Sequence, residues 1–378
     1  MHQVWDIAAL AAPYHAVIIG TENNSCGPHR PKRTTFACGQ DHQRSTWLAH
    51  APPQIHRPTT PRSLCRLADK APRIRTVLPF AMPAITKRCH WVPQAYLRHF
   101  SADPQRQKIW RLSKHDDGGD PELKPIDKVP VRFHLYSPKD SNTGQRDDTM
   151  ERKLSSLERF LGDRMWYELS HGQVDLFWEP LRKMVALMVA VMQFRNPIHF
   201  ELHKAMRQRL IDAILAEGAL PSFFQYKDRT FEVDAESWPA FLHAAEDDIK
   251  RAWLDDLGSC TWYAQELMAM RWAILLADQP TFITSDNPVT LIHPSLRFRG
   301  LSDPETMVSF PLSPTRILCM DHRHGEPANV YYPLQGNGAA QNLLTWRGAI
   351  DHMFTSRHPD DVCRDLVEEE ERSMAGDK

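Results

Sequence analysis

One nearly apolar stretch, from Leu181 to Phe194, limits the folds open to this chain more than any other feature. Its apolar residues cover almost the whole circumference of a helix, which is typical of a helix buried in the middle of a domain. The most apolar part, Met184 to Met192, falls far short of the roughly 20 residues that cross a bilayer. Pro197 removes a backbone hydrogen bond and predicts a bend or break soon afterwards. We therefore expect a globular domain built around one central helix.

The patterns on either side of this helix change along the chain. Before it, alternating residues predict strands over 108–114 and 129–136, a turn begins at Asp116, and a short helix is expected over 93–100. Apolar residues recur every three or four positions from Met150 to Met165, which predicts an amphipathic helix. Further helices are expected over 200–217 and 235–257. Strands are then predicted over 271–277, 280–285, 289–292, 307–311 and 316–321, followed by a helix over 342–353. This order predicts an α+β fold, with an antiparallel sheet and a helical layer that includes the central buried helix.

The composition changes near residue 82. Residues 1–81 hold ten Lys and Arg, four Asp and Glu and nine prolines, whereas the remainder holds 36 Lys and Arg and 43 Asp and Glu. Basic, proline-rich sequence without a helical or strand period predicts disorder. We therefore expect a disordered or spurious extension over 1–81 with translation starting at Met82, a single α+β domain over 82–360, and an acidic tail over 361–378.

Charge and cysteine usage argue against several classes of function. The net charge is −1 and the pI is about 7.0, so neither a general nucleic-acid coat nor a membrane-surface binder is expected. The seven cysteines are odd in number and scattered, which argues against a disulfide framework and a disulfide-linked partner. A reducing cytoplasm is the expected compartment.

Two familiar motifs are present only in part. Cys26-x-x-His29 and Cys38-x-x-x-His42 have the spacing of zinc ligands, but they lie in the predicted extension without a patterned core around them. Gly336-Asn-Gly338 lacks the third glycine of the dinucleotide-binding fingerprint and is more typical of a turn.

The first candidate site surrounds His90 and Gln94, just before and within the helix that begins with Pro93. A histidine at the positive end of a helix has a lowered pKa and is neutral, and a neutral imidazole can bind metal or accept a proton. Gln94 can donate to a substrate oxygen. The alternative is that His90 caps the helix while the nearby aromatic and aliphatic residues only anchor the core.

The second candidate is a pair of carboxylates, Glu151 and Glu158. Seven residues are about two helical turns, so both carboxylates are expected on one face, where they can hold a divalent cation. The alternative is a solvated face with ion pairs to Arg152, Lys153 and Arg159.

Two further candidates lie at the ends of predicted elements. Arg195 follows the all-apolar helix, so it is expected to pair with a buried acid or to bind a phosphate. Asp286 follows a predicted strand, which is a common place for a catalytic acid, although an aspartate before Asn287 and Pro288 also favours a turn closed by its own carboxylate.

These residues resemble the motifs of an uncharacterised, mainly bacterial family, domain of unknown function 4238. The resemblance rests on five motifs: His90-x-x-Pro93-Gln94-x-Tyr96-Leu97-x-x-Phe100, Glu151 with Glu158, Gln193-x-Arg195-x-Pro197, Thr284-Ser285-Asp286-Asn287-Pro288-Val289, and Pro311-Leu312-Ser313-Pro314. It covers residues 87–358 and implies a single domain but no established activity.

The leading hypothesis from the sequence is a cytoplasmic hydrolase that acts on a phosphate-containing substrate with the help of a divalent metal. His90, Gln94, Arg195 and Asp286 would be catalytic, and His90, Glu151, Glu158 and Asp286 would surround the metal. The competing hypothesis is a binding module, associated with defence or a toxin, in which the same residues form a buried structural network. A nucleic-acid binder is a weaker third hypothesis because the net charge is near zero.

Overall fold

In a computed structural model of the chain, the stretch predicted as the central helix is a helix of 16 residues, Glu179–Phe194. Pro180 lies in its first turn, where the missing N–H is not needed. Nine of its residues are buried, including the polar Gln193 near its end. The next helix begins at Pro197, and Asn196 caps that helix by accepting from the Ile198 N–H at 3.1 Å. The predicted break after the central helix is confirmed.

The structure describes residues 18–20, 88–115, 119–226, 229–258, 260–295 and 300–376. These residues belong to one compact unit, and the second unit, Glu22–Pro83, lies outside them. Apart from 18–20, the predicted extension over 1–81 therefore lies outside the described residues. So do the cysteine and histidine pairs considered above as zinc ligands and most of the turn predicted from Asp116.

The helices lie mainly in the middle of the chain. They are α1 (Gln94–Leu97), α2 (Thr149–Glu158), α3 (Arg164–His171), α4 (Glu179–Phe194), α5 (Pro197–Ala216), α6 (Trp238–Leu242), α7 (Glu246–Gly258), α8 (Thr261–Ala269), α9 (Ala339–Gly348) and α10 (Pro359–Gly376). The central helix α4 packs against α8, and the buried apolar residues of both belong to one large core cluster.

The strands precede and follow the helices. They are β1 (Ile18–Gly20), β2 (Arg88–His90), β3 (Lys108–Ser113), β4 (Glu122–Pro125), β5 (Val131–Phe133), β6 (Phe223–Tyr226), β7 (Arg229–Val233), β8 (Arg271–Leu276), β9 (Thr284–Ser285), β10 (Thr290–Ile292), β11 (Met307–Ser313), β12 (Arg316–Asp321), β13 (Val330–Pro333) and β14 (His352–Thr355). The α+β class is confirmed.

The strands form four sheets. The largest has the order β10-β11-β12-β8-β13, and the second has the order β4-β3-β14-β9. In addition, β2 pairs with β5, and β1 and β6 both pair with β7. All pairs are antiparallel except β13 with β8, which is parallel. The pairing of β9 with β14 brings the residue after β9, Asp286, beside the chain that enters β14.

Several predicted elements end earlier than their pattern suggests. The segment from Met150 to Met165, predicted as one amphipathic helix, is two helices. Helix α2 ends at Glu158 and a short 3-10 turn follows. Asp163 then caps α3 by accepting from the Met165 N–H at 2.8 Å. The helix predicted over 235–257 is likewise two helices, α6 and α7. The strand predicted over 280–285 is reduced to Thr284–Ser285, and the helix predicted over 342–353 ends at Gly348.

The last helix, α10, spans most of the predicted acidic tail over 361–378. Val362 and Leu366 are buried in a small cluster with Ile283 and Met353. Their spacing of four residues places them on one face of α10, so that face packs against Ile283, just before β9, and Met353 of β14. Residues after Glu368 are mostly exposed.

The turn before α9 depends on Gly338. Its φ is +73°, and a Cβ at this position would lie 2.6 Å from Thr281 Cγ2. Gly336 has a similar φ of +82° but open space where its Cβ would be. Gly338→Ala is therefore expected to lower the free energy of unfolding by about 2 kcal/mol or more, through strain and overpacking, and Gly336→Ala by only about 1 kcal/mol. Urea unfolding of both variants measures the difference, and equal losses would contradict the steric explanation.

None of the helices in the described ranges is both long and apolar enough to cross a membrane.

Candidate functional site

Arg195, at the end of the central helix, connects three segments that are distant in sequence. Its Nη1 donates to Glu158 Oε1 at 2.7 Å, its Nη2 donates to the main-chain carbonyl of His90 at 2.7 Å, and its Nε donates to the Tyr136 hydroxyl at 3.2 Å. The Tyr136 hydroxyl in turn donates to the carbonyl of Arg195 at 2.8 Å. The side chain of Arg195 is only 2% exposed, whereas that of Glu158 is 29% exposed. Of the two partners expected for Arg195, a buried acid or a phosphate, the structure contains the acid.

His90 and Gln94 meet side chain to side chain beside this ion pair. Nδ1 of His90 lies 3.3 Å from the Val129 carbonyl and Nε2 lies 2.9 Å from Gln94 Nε2. Because a carbonyl only accepts, Nδ1 carries the proton and Nε2 of the neutral ring accepts from the Gln94 amide. Burial lowers the pKa of His90, so the neutral ring is favoured. Both side chains are half-buried.

The lowered pKa of His90 has a different cause from the one predicted. His90 belongs to β2, and α1 has only four residues, so the positive end of a helix contributes little. Desolvation is the largest cause of the shift, and the nearby cations Arg88 and Arg195 lower the pKa further. The alternative prediction of a helix cap is not observed either, because Pro93 is the N-cap and no side chain caps α1.

Glu151 is the second carboxylate of the site. It lies close enough to Arg195, Glu158 and the buried thiol of Cys89 to interact with all three. Burial raises its pKa above the ordinary value, and the Arg195 cation and the Cys89 thiol oppose this shift without cancelling it. Its Oε2 is buried and has no hydrogen-bond partner among the described residues. The carboxyl group is therefore shifted towards its neutral, proton-donating form.

The two carboxylates thus share one face of α2, as predicted, but their environments differ. Glu158 forms an ion pair with Arg195, whereas burial raises the pKa of Glu151 and shifts it towards its acid form. The predicted alternative of a solvated face is not observed, since Arg152 pairs with Asp148 instead. Two titratable groups with opposed environments are the arrangement that acid–base chemistry requires.

Asp286 is completely buried, and its carboxylate faces away from the other candidates. Its oxygens accept from the backbone N–H groups of Ile350, Asp351 and His352 at 2.9, 2.9 and 3.0 Å. The predicted turn, closed by the carboxylate of Asp286 itself, is not observed. Instead, the Ser285 hydroxyl donates to the Asn287 carbonyl and accepts from the Asn287 N–H. Asp286 therefore fixes the chain entering β14.

Only the main chain of Asp286 reaches the site. Its carbonyl accepts from Trp91 Nε1 at 2.9 Å and from Asn196 Nδ2 at 3.2 Å. Trp91 directly follows His90, and Asn196 directly follows Arg195. The carbonyl of Asp286 therefore holds in place the residue next to each of these two site residues. The carboxylate of Asp286 holds the backbone before β14, at a position where the sequence predicted a catalytic acid.

The four predicted metal ligands do not come together. In the described part of the chain, two groups of three residues have ligand atoms within 4.8 Å of one another: Asp286 with Asp351 and His352, and His293 with Asp303 and Glu305. His90, Glu151 and Glu158 belong to neither group. The first group is occupied by the three backbone N–H donors on Asp286.

The second group is also a poor metal site for a chemical reason. His293 Nδ1 accepts from the Ser295 N–H at 3.1 Å, so the neutral ring carries its proton on Nε2, the nitrogen that faces Asp303 at 3.3 Å. A metal ion on Nε2 would require both ring nitrogens to be deprotonated. The pair is better described as a histidine–aspartate hydrogen bond.

Two residues of the site were not singled out from the sequence. Tyr136 lies at the end of a predicted strand and Cys89 lies just before His90. A tyrosine in an apolar run must find a partner for its hydroxyl when it is buried, and this was the available signal for Tyr136. No comparable feature of the sequence points to Cys89. Its thiol is fully buried, and because burial raises the pKa of the thiol, a nucleophilic thiolate is not favoured.

The described cysteines are all free, namely Cys89, Cys260, Cys319 and Cys363.

A family model described as protein of unknown function, DUF4238, matches residues 88–368. No curated protein and no solved structure matches the chain. The matched segment begins at β2 and includes every residue of the site.

Proposed function

Because the chain belongs to the DUF4238 family of proteins of unknown function, we propose a function from the geometry of the site: hydrolysis by acid–base catalysis, with Glu151 as the acid and His90 as the base. The observation that carries this proposal is a pair of groups near Arg195 whose pKa values shift towards each other. Burial raises the pKa of the Glu151 carboxyl group, which favours its acid form, and lowers the pKa of His90, which favours a neutral imidazole.

The proton transfers follow from the two neutral groups. His90 Nε2 takes a proton from a water molecule whose oxygen attacks the substrate, and Glu151 gives its proton to the leaving oxygen. The water takes the place that the Gln94 amide occupies on Nε2. Gln94, once displaced, is in position to donate to a substrate oxygen. The protons return from the imidazolium to the carboxylate through solvent, which restores both groups.

Arg195 acts as a positioning residue in this proposal. Its guanidinium is buried and already donates to Glu158, His90 and Tyr136, so it does not contact a substrate. An exposed cation, Arg88, lies close enough to His90 to lower its pKa, and its side chain also pairs with the exposed Asp127. We therefore keep a phosphate-containing substrate as the expected class and propose a phosphodiester, with Arg88 rather than Arg195 facing the phosphate.

A divalent metal is not part of the proposed mechanism. The Arg195 guanidinium already places a fixed positive charge against Glu158 and near Glu151, where a metal ion would have to compete with it. The predicted ligand Asp286 is also directed elsewhere.

A hydrolysis screen tests the proposal. We expect the protein to hydrolyse bis-p-nitrophenyl phosphate, and Glu151→Gln and His90→Gln each to lower kcat/KM by about 100-fold, since general acid–base catalysis contributes roughly 10²–10⁴-fold. Glutamine keeps the size of each side chain closely enough to preserve the fold. Glu371→Gln, at an exposed position of α10, is the matched control and should keep full activity.

The outcomes separate the parts of the proposal. Turnover of p-nitrophenyl acetate alone would contradict the phosphodiester class but not the hydrolase. Absence of turnover with both esters and with p-nitrophenyl phosphate would contradict hydrolysis, as would activity that is unchanged in both site variants.

One observation favours a second candidate, a binding module without catalysis. Arg195 and Asp286, two of the four predicted catalytic residues, are buried and use their side chains to hold the chain together. If the whole site is structural, Glu151→Gln and His90→Gln should change the stability of the protein while no hydrolysis is detected in any variant.

A further inference from the structure

A cavity of about 360 Å³ lies away from the site described above and shares no residue with it. It is formed by the start of α4, the end of α8, the beginning of β8 and the loop before β13. This volume falls within the range of about 300–1,000 Å³ that is typical of small-molecule sites. Apolar side chains make up much of its wall, among them Phe177, Met268 and Met270.

The wall also contains a cation without an acidic partner. Arg182 donates to three main-chain carbonyls, those of Leu176 at 3.1 Å, Met268 at 2.7 Å and Met270 at 2.9 Å. It forms no ion pair with any residue in the described part of the chain. Since a guanidinium has five N–H donors, two remain without a protein acceptor there.

The position of Arg182 is fixed by its surroundings. Its guanidinium carbon lies 4.3 Å from the centre of the Trp272 ring, and the three carbonyls accept from N–H groups at its edge. A half-buried positive charge held in one place is costly unless an anion or water compensates it. The cost falls when an anion enters the cavity.

The other charges on the wall are already compensated. Arg271 forms a two-pronged ion pair with the buried Asp321 and lies 3.2 Å from Glu326. Glu326 also faces Arg323 at 3.7 Å. The net excess at the cavity is therefore the single positive charge of Arg182.

An exposed aromatic residue completes the arrangement. Phe177 lines the cavity although 60% of it is exposed, and Ala269, at the end of α8, is another exposed member of the wall. An exposed phenyl ring beside a cavity with one uncompensated cation matches a ligand with an apolar body and one negative group.

We propose that this cavity binds a small monocarboxylate with an apolar or aromatic body, its carboxylate on Arg182 and its body against Phe177, Met268 and Met270. The proposal is independent of the hydrolase, because the two sites have no residue in common. The carboxylate accepts a charge-assisted hydrogen bond from one of the two N–H groups that remain on Arg182, its Nε or its Nη1.

The test uses 4-phenylbutyrate as the probe and 4-phenylbutyramide as its neutral counterpart. Binding is followed by NMR of protein labelled with ¹³C in the methionine methyl groups, so that Met268 and Met270 report on the cavity. We expect the carboxylate to shift these two signals and to bind at least about tenfold more tightly than the amide. Arg182→Met should reduce the affinity for the carboxylate to that for the amide.

A second variant keeps the test decisive if Arg182→Met does not fold. Ala269→Trp changes an exposed helix end and fills the cavity from its rim, so it should weaken binding at least about tenfold with the fold intact. Equal affinities for the carboxylate and the amide would overturn the proposal. Unchanged binding in Ala269→Trp, or no shift of the Met268 and Met270 signals up to the solubility limit of the probe, would overturn it as well.

Discussion

Arg195→Met is expected to lower the free energy of unfolding by about 4 kcal/mol. Removing one partner of a buried ion pair typically costs about 3–5 kcal/mol, because the remaining charge and polar groups stay desolvated. Here the substitution leaves the Glu158 carboxylate without its cation and the His90 carbonyl without its donor. Methionine has a similar length and keeps the packing, so the loss reports on the polar contacts.

Guanidinium chloride unfolding measures the effect, with Arg152→Met as the matched control. Arg152 is 65% exposed and pairs with Asp148 one helical turn away, so its loss should cost less than about 1 kcal/mol. A second variant, Arg195→Lys, keeps the positive charge but cannot donate in three directions from a planar group, so it should recover only part of the loss. Equal stability of Arg195→Met and wild type would show that the network contributes nothing.

Asp286→Ala is expected to cost about 5 kcal/mol, the largest loss among the substitutions considered. Its carboxylate accepts three backbone N–H bonds, and hydrogen bonds to a charged group contribute roughly 1.5–3 kcal/mol each. The alanine variant leaves three N–H groups without an acceptor next to a fully buried position. The loss should also loosen the contacts of Trp91 and Asn196 with the carbonyl of residue 286.

Asp351→Ala, in the same loop, is the control for this prediction. The Asp351 side chain is 50% exposed and faces the exposed His115, so its removal should cost less than about 1 kcal/mol. Asp286→Asn should fall between the two, because the amide retains one oxygen acceptor but places an NH₂ against an N–H donor. Similar losses for Asp286→Ala and Asp351→Ala would contradict the structural role of Asp286.

The overall class of the fold was accessible from the sequence because it depends on periodicity. The apolar circumference of residues 181–194 was sufficient to predict the buried helix, and the proline at 197 was sufficient to predict its end. The helix boundaries within 150–165 could not be predicted from the sequence, because the pattern of apolar residues continues through the break between α2 and α3. The capping oxygen of Asp163 starts a new helix there without disturbing that pattern.

The membership of the site was partly predictable, but the roles of its residues were not. A polar residue at the end of an apolar helix must be paired, which predicted an acid or a phosphate as the partner of Arg195, and the structure contains the carboxylate of Glu158. The sequence does not contain the direction of a side chain after a strand. Asp286 therefore looked like a catalytic acid until the pairing of β9 with β14 placed three backbone N–H groups against it.

The difference between the surroundings of the two glutamates could not be predicted from the sequence either. Spacing places Glu151 and Glu158 on one face of α2, but only the fold brings Cys89 from β2 and Arg195 from the end of α4 to them unequally. The depth of a carboxyl group, and hence the direction of its pKa shift, depends on contacts between residues far apart in the chain.

The central claim is that Glu151 and His90 are an acid and a base poised by their surroundings. The most direct measurement is an NMR titration of protein labelled with ¹³C in the glutamate carboxyl groups and ¹⁵N in the histidine rings, with Glu151→Gln and His90→Gln to assign the two signals. We predict a midpoint for Glu151 above the ordinary glutamate value of 4.5, and a midpoint for His90 below the ordinary histidine value of 6.5. A Glu151 midpoint at or below 4.5 together with a His90 midpoint at or above 6.5 would contradict the account.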